Sequence, residues 1–589
     1  MTPVAIPRFL CVLCVLCGSS FSAALDREAF TITKYDLEVQ LEPAQQRLGA
    51  RGKIILRNDS AQLQKVVALQ ISSSLNWRAI RAAGKPLQFV SQPFVSDVDH
   101  TGELSEAIVT LPAEIKPKDS VELEIGYEGL IRLDGTRLTR VGVPVEIARH
   151  TSWDQIGRSF TAVRGAGYVT WYPITTESAD FSEGNSLFEV VDRWKVREAE
   201  SEFKAGLNLV GAGGEKPTSL LCGAVSSAFD VDFGRNWTLM TNCHWDVLGP
   251  VSPTFVVANY RTESKPPLSL FSLSGHEAGV AKYSAALEPA SKFVTEWFGK
   301  PTAPIAIADL ADPHAAPFES GTLLLVSMAG EDTKLAGINL VHELVHSALN
   351  SPRPWVYEGL AHFAEAVYRE QQGGREAALD LLGVHRSAFL DSEKDVAASS
   401  QKSAGPLTKG QPLTTTFDEI YYRSKAAYVW WMLRDMVGDD ALKQAIRNYR
   451  TADDTDPEYV ERLLEASSKR DLRWFFDDWV YQDRGLPDFR VQSAHLWKEQ
   501  PDKTEKTGKD VRMLTLTLEN LGAVGAEVPV TMRCEANDIT QRLQVRAKST
   551  ATTRVELPCI PLEIVVNDGS VPESDVTNNV FKIEGGSQK

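Results

Sequence analysis

Two histidines and a glutamate in the sequence HELVH, residues 342–346, have the spacing of a zinc site. Side chains four positions apart lie on one face of a helix, so His342 and His346 can direct their imidazoles to the same point. Glu343 lies between them and can reach a water molecule beside the metal. This H-E-x-x-H arrangement predicts two zinc ligands and a general base for hydrolysis. The alternative is a helix whose two histidines bind no metal.

Glu358 is predicted to be the third zinc ligand, because catalytic zinc takes three protein ligands and keeps a fourth position open. Eleven residues, 347–357, separate it from His346, and they include a proline-containing turn after which a second helix can begin. Alternatively, Glu358 is an ordinary acidic residue at a helix start, where the helix dipole favours it. His362 lies one turn further along, where it either supports a ligand or is solvated.

The composition and charge of the chain narrow the class of protein. Its 589 residues are 43% hydrophobic and 24% charged, which is typical of a globular protein with several domains. The formal net charge of -16 disfavours binding to nucleic acid or to an anionic membrane surface. Nucleic acid is therefore not expected as a partner.

The first residues have the pattern of an export signal. Arg8 supplies a positive start, residues 9–17 are apolar but too few to span a bilayer, and small residues precede a cleavage point after Ala24. A membrane anchor, the alternative, needs about 20 apolar residues. We expect removal of residues 1–24, an exported protein that is secreted or periplasmic, and no stable membrane insertion of the mature chain.

Four of the seven cysteines remain after removal of this signal, and an even number in an exported protein suggests disulfide bonds. The simplest pairing joins near neighbours, Cys222 with Cys243 and Cys534 with Cys559. Four cysteines allow three pairings, and buried free thiols are the alternative.

Changes in residue pattern divide the mature chain into three predicted domains. Residues 25–262 carry alternating apolar and polar runs typical of antiparallel strands. Residues 263–488 are mainly helical in pattern, with a predicted strand at 321–327 next to the site and a predicted loop at 399–410. Residues 489–589 alternate again, which fits a small Ig-like β-sandwich. The predicted fold class is multidomain α+β.

Four motifs occur together in an order that is found in a known enzyme family. They are HELVH, then WVYEGLA with Glu358, then YYRSKAAYVWWMLRDMVG from Tyr421, then FFDDWVYQDRGLP from Phe475. On these motifs the chain resembles the aminopeptidase-N-type zinc metallopeptidases, which are gluzincins with an N-terminal β-sheet domain. The resemblance covers about residues 34–491.

The resemblance implies a fold, a reaction and a set of roles. The fold would be an N-terminal antiparallel β saddle and a thermolysin-like catalytic domain that is mainly α, followed by the β-sandwich that the residue pattern predicts. His342, His346 and Glu358 would bind one zinc ion, and Glu343 would deprotonate the attacking water. Peptides would be hydrolysed from the free amino end, with an upstream glutamate holding the substrate's α-amino group.

Two departures from the family's pattern concern the second helix and the amine anchor. The interval between His346 and Glu358 is shorter than in the family, which requires a shorter loop between the two helices. No G-x-M-E-N motif is present. Glu319, in the sequence PFESG before the 321–327 strand, stands at a fitting distance from His342 and is the candidate for binding the substrate amine.

A third departure concerns the tyrosine that would donate to the oxyanion. Matching the motif from Tyr421 without a gap places Arg423 at the expected position and Tyr422 one residue earlier. Neighbouring helix residues differ in direction by about 100°. A local shift of the helix would make Tyr422 the donor, with Tyr421 as the alternative.

The sequence therefore predicts an exported zinc metallopeptidase, a hydrolase that is most simply an aminopeptidase. The alternatives are an endopeptidase with the same zinc site, or a catalytically degenerate family member that acts as a protein-binding module. Hydrolysis needs the same chemistry in either enzyme: zinc polarises the carbonyl, and a carboxylate transfers the proton.

Overall fold

The computed structural model describes residues 25–183, 186–212, 215–231, 236–329, 335–402, 411–416, 418–498, 512–535 and 537–583. The predicted export signal, residues 1–24, lies outside these ranges. Among the described residues, no helix is both long and apolar enough to cross a bilayer.

The N-terminal region consists mainly of strands, because its sequence alternates between buried and exposed residues. In β1, for example, Tyr35, Leu37, Val39 and Leu41 are buried and the residues between them are more exposed. The strands are β1 (Phe30–Glu42), β2 (Arg47–Asn58), β3 (Gln64–Ser72), β4 (Leu75–Ala82), β5 (Lys85–Pro86), β6 (Phe89–Val95), β7 (Glu103–Ile115), β8 (Ser120–Leu130), β9 (Phe160–Val163), β10 (Glu202–Ala212), β11 (Thr218–Leu221), β12 (Ala224–Val225), β13 (Ser227–Val231), β14 (Asn236–Trp245) and β15 (Phe255–Ala258). In the described part of this region they are accompanied by helices α1 (Thr136–Arg140), α2 (Val145–Thr151) and α3 (Ser186–Glu198).

These strands form three sheets. The largest has the order β13-β14-β10-β1-β2-β8-β4-β5, and the others have the orders β3-β7-β6 and β12-β11-β15-β9. Among the described residues, the strand pairs in these sheets are antiparallel except β1 with β10, which run parallel with Leu37 opposite Ala205. The predicted antiparallel β domain is therefore confirmed apart from this one parallel pair. Its two strands are far apart in sequence, so local alternation gives no sign of their direction.

The middle region places helices against a five-stranded sheet of order β16-β17-β18-β20-β19. Its strands are β16 (Arg261–Lys265), β17 (Leu268–Ser272), β18 (Ile305–Asp309), β19 (Phe318–Ser320) and β20 (Leu323–Val326). Its helices are α4 (Glu277–Trp297), α5 (Ala336–Ala348), α6 (Pro354–Lys402), α7 (Ala426–Val437), α8 (Asp439–Asn448), α9 (Tyr459–Ser468) and α10 (Arg473–Trp479). A π-helical turn, Ile420–Lys425, precedes α7.

Helix α6 differs from the sequence prediction at its end. A loop was expected at residues 399–410, but the helix continues to Lys402, and residues 403–410 lie outside the described part. The helix is interrupted at Gly374, whose φ of 80° is accessible to glycine at little cost. The polar composition that suggested a loop is therefore compatible with a continued helix.

The C-terminal region forms two sheets with a shared interior. The strands are β21 (Phe489–Lys498), β22 (Arg512–Asn520), β23 (Ala526–Arg533), β24 (Ile539–Val545), β25 (Ser549–Leu557), β26 (Glu563–Val566) and β27 (Val580–Lys582), in the orders β21-β22-β25 and β24-β23-β26-β27. Leu514 and Leu516 of one sheet and Val528 and Val530 of the other are buried in one cluster. This is the predicted β-sandwich. The domain boundaries stay predictions; β16 spans the one at 262/263.

The four cysteines of the mature chain differ in their pairing. Cys534 and Cys559 are joined by a disulfide bond, as predicted. Cys222 and Cys243, in contrast, are free and buried. Burial and the neighbouring Cys243 thiol raise the pKa of Cys222. The predicted bond between these two is therefore not present, although the thiols are close.

Candidate metal centre

Helix α5 brings the two histidines together because its apolar residues fix its orientation. Leu340, Val341 and Leu344 are fully buried in the core of the middle region. Because these apolar residues pack into the core, His342 and His346 lie together on a different face of the helix, one turn apart. Their Nε2 atoms are 3.0 Å apart, and both side chains are buried.

Helix α6 returns Glu358 to the same point. α5 ends at Ala348, Leu349 is extended (φ -135°, ψ 125°), and Pro354 opens α6, a position that proline favours. This short connection is sufficient to reverse the chain. Glu358 lies in the second turn of α6 and is buried. The eleven-residue interval therefore still permits the third ligand to reach the histidines.

Four side chains converge closely enough to hold one metal ion. Each of Glu319, His342, His346 and Glu358 offers a ligand atom, and these atoms lie within 4.8 Å of one another. Imidazole nitrogen and carboxylate oxygen are zinc donors. Burying several ionisable groups in one place is costly unless their charges are balanced. The donor set and its burial therefore fit a zinc ion held by His342, His346 and Glu358.

Glu319 lies closer to these ligands than its predicted role requires. It belongs to β19, and its two carboxylate oxygens are each 3.0 Å from an Nε2 atom, one of His342 and one of His346. Burial raises the pKa of Glu319, but the two imidazoles outweigh this and hold it well below the usual range. Burial lowers the pKa of His342, but Glu319 and Glu365 outweigh this and raise it well above the usual range. Binding of the substrate amine by Glu319 stays a prediction.

Glu343 has the environment expected of a proton acceptor. Its side chain is buried beside the histidines and lines the main cavity. Burial, followed by repulsion from Glu319, raises its pKa well above the usual range. Within the described structure, its Oε2 atom has no hydrogen-bond partner. A buried oxygen without a partner is costly unless it serves a bound group or a water molecule.

Glu365 orients one of the ligands, and the sequence prediction missed it. Its Oε1 atom is 2.7 Å from Nδ1 of His342, and its Oε2 atom is 3.2 Å from Nδ1 of His362. A carboxylate on the outer nitrogen of a ligand histidine fixes the ring and raises its basicity. Helical spacing could have indicated this residue in the sequence, since Glu365 lies two turns after Glu358 on α6. His362 thus supports a ligand through Glu365.

A cavity of about 550 Å³ opens onto the metal ligands. The N-terminal region contributes Asp192 and Lys195 of α3, and the middle region contributes Glu319, Glu419 and Arg423. Because both regions line it, the cavity depends on their contact.

The predicted oxyanion donor, Tyr422, is placed elsewhere. Its hydroxyl donates to Oδ1 of Asp192 at 3.2 Å, and among the described residues that line the cavity Tyr422 is absent. Tyr421, the alternative, is fully buried and is likewise absent from that lining. Arg423 lines the cavity instead, with its Nε atom 3.2 Å from Oε2 of Glu358. The placement therefore gives no support to the role predicted for Tyr422.

Comparison with protein families identifies the part of the chain that carries this centre. Residues 323–479 match the family model described as "Peptidase family M1 domain". This part of the chain is therefore similar to the M1 peptidase domain. This finding confirms the predicted resemblance and the zinc cofactor. It also confirms the general prediction of a zinc metallopeptidase that hydrolyses peptides. The matched range contains every residue of the centre except Glu319.

Solved structures offer more distant similarities. An M1 zinc metallopeptidase from Deinococcus radiodurans is 14% identical, with a TM-score of 0.46, covering 74% of this chain and 91% of that one. A mutant of an M1 zinc metallopeptidase from the same organism, bound to a Tyr-Ser-Ala substrate, is 15% identical, with a TM-score of 0.47 and coverages of 77% and 94%. No curated protein matches the chain.

Proposed function

We propose that this protein is an exported zinc aminopeptidase that releases N-terminal residues from peptides. The observation that carries the proposal is the convergence of three zinc ligands and the buried base Glu343 on one cavity. The charge of this cavity supports the preference for a free amino end. Carboxylates outnumber lysines and arginines in its lining, with Asp192, Glu319, Glu343, Glu358, Glu365 and Glu419 against Arg137, Lys195 and Arg423. Glu358 would bind zinc and Glu365 holds His342, so Glu319 is the candidate among the remaining carboxylates for binding a cationic ammonium group.

The side chains of the site divide the work of hydrolysis. Zinc, when bound by His342, His346 and Glu358, supplies a Lewis acid that polarises the scissile carbonyl and acidifies water. Glu343 takes a proton from the attacking water, whose oxygen forms a bond to the carbonyl carbon while the π electrons move to the carbonyl oxygen. The C–N bond then breaks, and Glu343 gives the proton to the leaving nitrogen. The products are a carboxylic acid and an amine, so atoms and charge balance.

The position of Glu319 favours a second candidate, an endopeptidase. If the carboxylate remains beside the imidazoles, as at 3.0 Å here, it is not free to bind an ammonium group. The enzyme would then cut bonds without regard to a free amino end. Permanent occupation of the fourth zinc position by Glu319 would instead close the site, as in structural zinc centres.

Blocking the substrate's amine tests the aminopeptidase proposal. We expect the wild-type protein to cleave amino-acid p-nitroanilides and to cleave their N-acetylated forms about 100-fold more slowly or worse, because a lost ion pair costs several kcal/mol when it leaves a buried charge. Glu319→Gln should reduce this preference, and Glu376→Gln, an exposed change on α6, should not. Equal rates on free and acetylated substrates would favour the endopeptidase.

Export is proposed from the residue pattern of the first 24 positions and is compatible with the Cys534–Cys559 disulfide, which an oxidising compartment favours. Sequencing the N-terminus of protein recovered from outside the cytosol should show a chain that begins after Ala24. A chain that retains residues 1–24 there would contradict the proposal.

A further inference from the structure

Arg423 occupies the place in the cavity where a tyrosine was expected. It lies in the π-helical turn Ile420–Lys425, in which consecutive side chains leave the helix in directions that a regular α-helix would not give. Tyr422 contacts Asp192 of α3, whereas Arg423 lines the cavity together with His342 and Glu343. π-helical turns occur frequently at functional sites.

The contacts of Arg423 leave part of its guanidinium available. Its Nε atom is 3.2 Å from Oε2 of Glu358, and its Nη1 atom is 3.4 Å from Oε2 of Glu419. The structure shows no hydrogen bond from Nη2 to any residue that it describes. About a third of the side chain, 36%, is exposed, and Arg423 lines the cavity.

The other two cations of the lining are already committed. Arg137 donates from Nη1 to the carbonyl oxygens of Asp97 and Gly167, each at 2.6 Å. Lys195 forms an ion pair with Asp192, with 3.2 Å between Nζ and Oδ1. Of the lysines and arginines in the described lining, Arg423 is therefore the one with an ion pair to a predicted zinc ligand and a donor to spare.

A neutral phenol offers the main competing donor. Tyr357 lines the cavity, and its ring stacks on His346 with 3.9 Å between centroids. Its hydroxyl can donate one hydrogen bond, and a phenol is neutral at neutral pH. A guanidinium is positively charged throughout the working pH range and presents several donors in a fixed plane. An oxygen that gains a negative charge is better stabilised by the guanidinium.

We propose that the guanidinium of Arg423 donates a hydrogen bond to the scissile carbonyl oxygen as that oxygen becomes negatively charged. The inference rests on the proposed peptidase function and assigns to Arg423 the role predicted for Tyr422. When the oxygen of water bonds to the carbonyl carbon, the π electrons move to the carbonyl oxygen, which accepts the hydrogen bond from Nη2. Arg423 keeps all its protons; Glu343 carries the transferred one. The ion pair with Glu358 aims the guanidinium at the metal side of the cavity.

The competing explanation is that Arg423 only neutralises Glu358 and so supports the zinc site. The two roles make different predictions for inhibitors. A phosphinic dipeptide analogue carries a tetrahedral anion that mimics the charged intermediate, whereas an aminoalkyl thiol such as leucine thiol binds zinc without an oxyanion. If Arg423 only supports the zinc site, replacing it should weaken binding of the phosphinic analogue and of leucine thiol by similar factors.

The test compares Arg423→Ala, Arg423→Lys and Tyr422→Phe with the wild-type protein, all loaded with zinc. Losing an oxyanion donor typically slows catalysis about 100-fold or more. We expect Arg423→Ala to lose about that factor in kcat, with KM within about threefold, and to lose a similar factor in affinity for the phosphinic analogue. Zinc content and affinity for leucine thiol should be retained. Tyr422→Phe should stay within about threefold of the wild type in kcat, because its hydroxyl contacts Asp192.

Rescue supplies a further readout. Guanidinium ion added to Arg423→Ala should restore part of kcat, and Arg423→Lys should fall between the wild type and Arg423→Ala because it keeps the charge but loses the planar fork. Loss of zinc, or equal weakening of both inhibitors, would overturn the inference, as would a large effect in Tyr422→Phe with none in Arg423→Ala. A wild-type protein that hydrolyses no substrate would contradict the proposed function instead, and calorimetry with the two inhibitors would still decide the role of Arg423.

Discussion

At the scale of single residues, the centre shows what local spacing can and cannot reveal. His342, Glu343, His346 and Glu358 were predicted from helical periodicity and the needs of zinc, and the structure brings all four together. The direction of the Tyr422 side chain could not be predicted from spacing, because a π-helical turn is not visible in the residue pattern. The direction of a side chain in such a turn depends on packing against other elements, here on Asp192, 230 residues earlier.

Glu365 offers a residue-scale prediction about zinc affinity. It holds Nδ1 of His342 at 2.7 Å, so Glu365→Gln would replace a charged acceptor by a neutral amide. Changing such a supporting carboxylate typically weakens metal binding about 10- to 100-fold. Competition with a chelator of known affinity would measure the change. The exposed change Glu376→Gln serves as the control, and an unchanged zinc affinity in Glu365→Gln would show that the contact does not support the ligand.

At the scale of elements, the approach of α6 to α7 positions Glu358. Gly359 follows it, and an added Cβ at that position would lie 2.6 Å from Cβ of Ala426 and 3.1 Å from Trp430. The two helices can therefore be this close only if residue 359 has no side chain. The helices themselves were predictable from their periodicity, but their separation was not, because it depends on residues far apart in sequence.

Two glycines of α6 provide a matched test of this packing. Gly359→Ala should lower the melting temperature, since overpacking typically costs about 1–3 kcal/mol, and should weaken zinc binding by displacing Glu358. Gly383→Ala, where an added Cβ meets nothing within 4 Å, should be neutral or slightly stabilising. Calorimetric melting with and without zinc would measure both effects. Equal melting temperatures for the two variants would contradict the proposed role of the close approach.

At the scale of the whole molecule, the regions were recognisable from changes of pattern, but their contacts were not. Residues of the helical middle region and of the C-terminal sandwich share one hydrophobic cluster, and Trp479 of α10 donates to the carbonyl oxygen of Gly525 at 2.8 Å. The cavity likewise needs α3 of the N-terminal region. Such contacts follow from shape complementarity between surfaces, for which a single sequence contains no periodic signal.

Stability of the N-terminal region should depend on pH through Glu198, at the end of α3. It accepts hydrogen bonds from the Tyr35 hydroxyl (2.6 Å) and the Ile32 amide (3.3 Å), and burial raises its pKa to about 7. The pKa of Glu198 is therefore higher in the folded protein than in the unfolded chain, where it is near 4.5. Glu198 contributes fully to the free energy of unfolding below that pH, and this contribution is lost as the pH rises through about 7. The loss is on the order of 3 kcal/mol.

Melting temperatures at pH 5 and pH 8 would measure this dependence. The wild-type protein should melt at a lower temperature at pH 8, and Glu198→Gln, which cannot ionise, should show a smaller difference between the two conditions. Glu200→Gln, an exposed neighbour, should behave like the wild type. The same difference in Glu198→Gln as in the wild type would show that another group is responsible.

The proposed hydrolysis requires Glu343 to act as the base at a zinc ion held by His342, His346 and Glu358. Its most direct test is the hydrolysis rate per bound zinc for the wild-type protein and for Glu343→Gln, with an amino-acid p-nitroanilide as substrate. We predict that both proteins bind about one zinc ion per chain and that the variant is slower by a factor of about 100 to 10,000, the usual contribution of a general base. An undiminished rate in Glu343→Gln, at full zinc occupancy, would contradict the claim.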